Sequence, residues 1–288
     1  MDPSEILIVD RTQPESKFAD SLPAVQTLID RIGGIHNVHL ARLWGAQRCI
    51  LVEGDDLSFL KTLHDKLYPD AQFPLDDIPN SPIGGWDGWA YAIGQNMMAK
   101  NSLGQSVRVY CIFDSDYRVP EEIEKRYEEA KKRQVALHIW KRKEIENYFL
   151  NANVIARVVC NRNADLDSGT VRAEVQAKLE EITDQLTDVV FDGFATRFRD
   201  LNPAGGVAPA NKATRELLGD SLAKPETAME RVSGKELLRL VSSWAHDTYG
   251  RGVSLRDILR EINVAEIPKE VTSVLGAIEK NKPFSPTT

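Results

Sequence analysis

Seven carboxylates fall in three short clusters, Glu53 with Asp55 and Asp56, Asp114 with Asp116, and Glu144 with Glu146, each soon after an apolar run. Carboxylates held this close repel one another, and partial burial weakens the compensation that water gives. Divalent cations bound by oxygen ligands resolve the conflict, and a set with little His or Cys nearby suits Mg²⁺ or Mn²⁺. Each cluster alone has a plainer explanation. Asp55 or Asp56 is placed to cap a following helix, and Glu144 to favour a helix start through the dipole. Convergence of all three clusters is what would separate metal chemistry from capping.

Basic side chains border these acids. Arg118 follows Asp116, and Lys141, Arg142 and Lys143 precede Glu144 and Glu146. The pattern fits a nucleic-acid backbone approaching a metal site, and equally a solvated surface turn. Lys235, in the run Ser233-Gly-Lys-Glu236, is placed to bring an ammonium and a helix N-terminus to a phosphate, or to stand exposed beside an ordinary cap. The glycine-rich spacing of a Walker A loop is missing. Trp86 and Trp89 flank a glycine turn, where burial against a helix is commoner than stacking on bases. Tyr117 and Tyr148 read as packing or substrate-facing residues, and the five histidines show no zinc spacing.

The elements that must position these groups follow from hydrophobic patterning. From residue 49 to about 150 strands and helices alternate, the pattern of a parallel α/β sheet. Cys49 to Val52, Val107 to Phe113 and Val135 to Trp140 read as strands, and a short apolar element lies near Ile83. Leu57 to Leu67, the stretch after GGWDGW to about Lys100, and Pro120 to Gln134 read as helices, and KRKEIENYFL opens another. Tyr68 to Pro82 reads as a loop. The acids thus sit at the C-terminal ends of strands, where open α/β sheets build their sites. Before this region, Ile6 to Val9 is strand-like, and Leu22 to Ile32 and His36 to Trp44 are helical. Beyond residue 150 the period is helical, with Asn202 to Pro225 reading as an exposed loop and two helices opening with capping boxes, Ser233 to Glu236 and Ser254 to Asp257.

The chain has 288 residues, 42% of them hydrophobic, which is enough for one large domain or two smaller ones. No apolar stretch approaches the roughly 20 residues that span a bilayer, and the first residues lack a signal peptide's pattern, so a cytoplasmic protein is expected. Three separated cysteines, Cys49, Cys111 and Cys160, suggest reduced packing residues rather than a disulfide framework. A formal net charge of -7 argues against bulk electrostatic binding of nucleic acid. It does not exclude a site whose bound cations cancel much of that charge.

A strand ending in Glu-Gly (LVEGDD) and a later strand ending in Asp-x-Asp (CIFDSD) resemble the Toprim domain of topoisomerases, primases and certain nucleases. With IGGWDGW between them and KRKEIENYFL after them, residues 49 to 160 look like the Toprim region of OLD-family ATP-dependent endonucleases, a likeness that extends loosely through VSGKELL. The resemblance implies a Toprim-like parallel sheet flanked by helices over 49–160, an all-helical region over 161–288, and an extension over 1–48 similar to the tail of an ABC-type ATPase. It implies that Glu53 binds a metal or shuttles a proton, that Asp114 and Asp116 hold Mg²⁺, and that Glu146 completes a second metal site. Many Toprim nucleases place a further acid four residues after the first Glu, where this chain has Leu57; Asp56 is the nearest substitute. Two ions would suit phosphodiester hydrolysis, one activating water and the other steadying the leaving oxygen.

The expectation is therefore a metal-dependent endonuclease acting on DNA, or alternatively RNA, beside an ABC-type ATPase domain or subunit in anti-phage defence. The chain would be a fragment of such a protein or one half of a split system. Its oligomeric state, a homodimer included, is not encoded in these patterns. The shortened first motif favours a rival reading, a non-catalytic Toprim module that binds DNA or a partner. A haloacid-dehalogenase-type phosphotransferase fits poorly, because Arg118 stands where that family expects Thr or Val and VEGDD has no role there.

Overall fold

The computed structural model describes residues 7–8, 17–18, 43, 45–54, 56–103, 107–161 and 165–284. The helices expected over Leu22 to Ile32 and His36 to Trp44 lie almost wholly outside them, as does Asp55. Two short antiparallel strands, β1 (Leu7–Ile8) and β2 (Lys17–Phe18), come first. The sheet that matters is four-stranded and all parallel, in the order β4 (Asn80–Ile83), β3 (Arg48–Glu53), β5 (Arg108–Phe113), β6 (Ala136–Ile139). This is the α/β, Toprim-like arrangement expected, followed by a helical region.

Alternate residues of each strand serve two cores. Ile50, Val52, Tyr110 and Ile112 face one, while Cys49, Leu51, Val109, Cys111, Phe113, Leu137 and Ile139 face the other. Burial on both faces is why these strands read as continuous apolar runs. The second face is covered by α2 (Trp89–Leu103) and α3 (Pro120–Arg133), whose Ile123, Tyr127 and Ala130 pack there. The first is covered by α1 (Asp56–Leu67) and by the helical region itself, since Leu60, Ile258, Val271 and Leu275 share one cluster with Ile50 and Val52.

The helical region contains α4 (Ala152–Cys160), the long α5 (Ser168–Leu201), α6 (Val207–Leu218), the short α7 (Pro225–Met229), α8 (Gly234–Tyr249), α9 (Leu255–Glu261) and α10 (Lys269–Glu279). Three expectations need correction. The loop expected over Tyr68 to Pro82 ends earlier, because Asn80, Ser81 and Pro82 pair with Ile50, Leu51 and Val52 as the start of β4. KRKEIENYFL does not open a helix: it forms a single 3₁₀ turn, Ile145–Tyr148, and the helix starts only after Asn151 caps it. Asn202 to Pro225 is not a loop, because α6 occupies half of it. Ala210, Thr214 and Leu218 recur at helical spacing there and are buried, where α6 packs along α5, a periodicity that the Gly- and Pro-rich flanks obscure. Of the two capping boxes, Ser254 and Asp257 are reciprocal as expected. Ser233 accepts from the Glu236 N–H, while its hydroxyl donates to Glu144. Among the described residues no helix is long and apolar enough to cross a membrane.

Candidate active site

Register brings the first two motifs together. Val52 pairs with Ile112, so Glu53 stands level with Phe113 and the next residue is Asp114. The Asp114 N–H accordingly donates to Glu53 Oε2 at 3.4 Å. The chain after Glu53 turns through Gly54, whose φ of +50° glycine adopts without strain, and enters α1 with Asp56 buried in its first turn. Gly85, with φ +51°, lies against the Glu53 carboxylate so closely that a Cβ there would collide with it. That contact is one use of the GGWDGW turn.

Backbone stitches register the third motif. Asp116 N donates to Lys143 O, Ser115 Oγ to Arg142 O, and Trp140 N to Phe113 O. In the 3₁₀ turn that follows, Asn147 accepts from the Glu144 N–H and donates to Met229 O and Val232 O, which seats the loop before α8. Glu144 receives the Ser233 hydroxyl and the Lys235 N–H, the latter at 2.9 Å. A residue of the loop after β6 thus serves the N-terminus of a helix some ninety residues on, and Lys235 is delivered to the acids: its Nζ is 3.5 Å from Asp114 Oδ2.

Electrostatics separate the carboxylates by role. Burial pushes the Asp114 carboxyl up to about 9, with Asp56, Glu53 and Glu146 adding to the rise and Lys235 opposing it. Burial likewise takes Asp56 up to about 7, helped most by Glu146. Glu53 and Glu146 are raised too, chiefly by burial. Burial acts in the same direction on Glu144, but Lys143 and the Lys235 N–H overcome it and hold that carboxyl below its usual value. Lys235 moves the other way: burial lowers it, and Glu146, Asp114, Glu144 and Asp56 together raise it. Asp114 Oδ1 and Glu146 Oε2 are buried without a hydrogen-bond partner.

Charges from all three clusters therefore act on one another. Glu53, Asp56, Asp114 and Glu146 repel one another around Lys235, while Asp116, with φ +47°, leans to the rim 3.7 Å from Lys143. Among the described residues no group of three His, Cys, Asp or Glu side chains stands ready to hold a metal ion. The donor chemistry still fits a hard divalent cation, because the buried Asp114 Oδ1 and Glu146 Oε2 lack a hydrogen-bond partner and the acids outnumber the cations beside them.

The basic border is placed less openly than a surface turn would be. Lys143 is buried, 2.5 Å from Glu144 Oε1 and over the Tyr117 ring; Arg142 bonds Asn147 O and Glu230 and covers Tyr148. Lys141 is exposed, its backbone N–H held by Tyr148 and Glu270. Arg118 pairs with Glu122 and lies over Trp86. Trp86 and Trp89 are buried against Phe113, the commoner outcome for such residues. Tyr117 packs on Gly193 and Phe194 of α5, and Tyr148 donates to Glu270. Asn147 and Ser233 were not legible as site residues. Their signal is the cap at Ser233 lying beside Lys235 in sequence. Compared with protein-family models, curated proteins and solved structures, the chain matches none.

Proposed function

We propose that the chain is a Mg²⁺- or Mn²⁺-dependent endonuclease of the Toprim type that hydrolyses phosphodiester bonds of DNA. One observation carries the reading: carboxylates that follow β3, β5 and β6 act on one another beside Lys235, with Asp114 Oδ1 and Glu146 Oε2 buried and unpartnered. Glu53, Asp114, Asp116 and Glu146, with Asp56 beside them, would hold the ions. Bound divalent ions would acidify the attacking water and stabilise the charge that builds at phosphorus. Lys235 presents an ammonium to the same charge, and Glu144, Ser233 and Asn147 keep it there. Glu53, seated on Gly85 and bonded to the Asp114 N–H, is a fixed proton acceptor on the edge where a scissile phosphate would lie. The resemblance of residues 49–160 supports placing this activity beside an ABC-type ATPase in anti-phage defence.

The test is nicking of supercoiled plasmid in Mg²⁺, Mn²⁺ or EDTA by the wild-type chain and by folded Glu53→Ala and Asp114→Ala variants. Metal-dependent nicking lost in both variants is expected. A non-catalytic module that binds DNA or a partner ATPase is the second reading, and what favours it is that no three-ligand group stands ready among the described residues. No cutting, with no heat of Mn²⁺ binding by calorimetry, would replace the first reading with the second.

A further inference from the structure

A cavity opens beside the carboxylates, with a volume of about 550 Å³, within the usual range for small-ligand pockets. It shares a wall with the site, since Trp86 donates its Nε1–H to Asp114 O at 3.0 Å and Gly85 supports Glu53. Its lining includes Trp86, Arg118, Arg126, Glu122, Glu129 and, from α5, Arg197. Arg118 and Arg126 lie against the same indole, 4.7 and 5.0 Å from its centroid, so two like charges are held close over one ring.

Their partners are unequal. Glu122 serves both Arg118, at 3.3 Å, and Arg197, whose Nε reaches it at 2.7 Å. The carboxylate paired with Arg126, that of Glu129, stands 3.9 Å away, beyond hydrogen-bond reach. Arg126 is stacked on Trp86 and Trp89 and half-buried, and burial together with Arg118 makes its charge costly. A guanidinium held rigid by stacking, under-supplied with acceptors and facing a cavity is suited to a phosphate, which it can meet with two parallel N–H donors.

We infer that Arg126, with Arg118 and Arg197, forms a subsite for a backbone phosphate of the nucleic-acid strand flanking the cleaved bond. The inference rests on the nuclease reading for its ligand and on the cavity for its geometry. Glu122 then competes with the phosphate for Arg118 and Arg197, and the strand is admitted as those pairs open.

Binding of a fluorescein-labelled single-stranded oligonucleotide would be followed by anisotropy in EDTA across a salt series, which leaves out cations and cleavage. Arg126→Gln is expected to weaken binding about tenfold or more and to reduce the slope of log K against log salt by about 0.7, the value of one single-strand phosphate contact. Glu122→Gln, which keeps an acceptor for the Val119 N–H but removes the competing charge, is expected to tighten it. Unchanged affinity and slope in Arg126→Gln overturn the subsite. If that variant does not fold, Glu122→Gln decides alone, tighter binding supporting the subsite and equal or weaker binding overturning it. Inorganic pyrophosphate separates the two readings. A thermal shift with pyrophosphate that Arg126→Gln abolishes, in a chain that neither nicks plasmid nor binds Mn²⁺, keeps the subsite and sinks the nuclease. Nicking by a chain whose oligonucleotide binding ignores Arg126 does the reverse.

Discussion

Asp114 is held where a charge is expensive. It is almost wholly buried, three other acids oppose its ionisation, and Lys235 helps, from 3.5 Å. A carboxyl whose folded pKa stands above its unfolded one, near 3.9, binds more protons folded than unfolded. Its contribution to stability is then present below the unfolded value and lost as pH rises through the folded one. With Asp56 at about 7 and Asp114 at about 9, the metal-free chain should lose stability steadily from about pH 4 towards pH 9. Asp114→Asn is nearly isosteric and removes the charge, so it should stabilise the chain in EDTA at pH 8 by at least about 1.4 kcal/mol, the worth of one pKa unit. Urea melts would read this, and Mg²⁺ should narrow the gap by stabilising wild type alone. A variant less stable than wild type in EDTA would mean that the Asp114 carboxylate is already well compensated.

At the scale of elements the decisive joint is between the 3₁₀ turn Ile145–Tyr148 and the start of α8. A Cβ at Gly234 would come within 2.7 Å of Asn147 Oδ1 and 2.8 Å of Asn147 N, and backbone cannot swing aside as a side chain can. Gly→Ala inside a helix normally stabilises, by up to about 1 kcal/mol. Gly234→Ala should instead cost about 1–3 kcal/mol through overpacking and cut nicking about tenfold or more by displacing Lys235 from Asp114. Lys235→Ala is the comparison: nicking is lost with the packing of the 3₁₀ turn on α8 intact, and stability in EDTA falls because the ammonium that offsets the buried acids is gone. This joint is also where sequence alone ceases to be legible. β3, β5 and β6 were legible because two-sided burial writes them as apolar runs, and the acids were legible because strand ends are their natural place. The role of Glu144 was not, because its partners Ser233 and Lys235 are distant in sequence and adjacent only after folding. Helix α6 was missed for a related reason: its apolar face is narrow and means little until α5 is there to cover it.

For the molecule as a whole, a boundary near residue 160 divides the sequence but not the core. The chain returns after α9 to close the sheet it left. Arg48 bonds Ile278 O and Glu279 O, and Tyr110 donates to Ala277 O and Lys282 O. Arg108 reaches Asn281 O, and the Phe284 ring meets Tyr110 and His138. At the opposite end of α10, Glu270 is the clasp. It accepts from Tyr148 at 2.6 Å and from the Lys141 N–H at 3.1 Å, and pairs with His138 Nε2 at 3.1 Å. Burial pushes the Glu270 carboxyl up, but the bonds from His138 and Tyr148 prevail and hold it below its ordinary value. Its contribution is therefore present above the unfolded carboxyl value of about 4.3 and lost as pH falls through the folded one. Glu270→Ala strands the buried Tyr148 hydroxyl and should cost about 3 kcal/mol at pH 7, a difference from wild type that shrinks below about pH 4. The same clasp spans the β6 edge, Tyr148 of the 3₁₀ turn and α10, so its loss should loosen the strand-end acids along with the helices. Amide hydrogen exchange distinguishes this from local fraying. Faster exchange in β5 and β6 as well as α10 is the expected outcome, and faster exchange confined to α10 would mean that the helical region closes over the sheet without holding it.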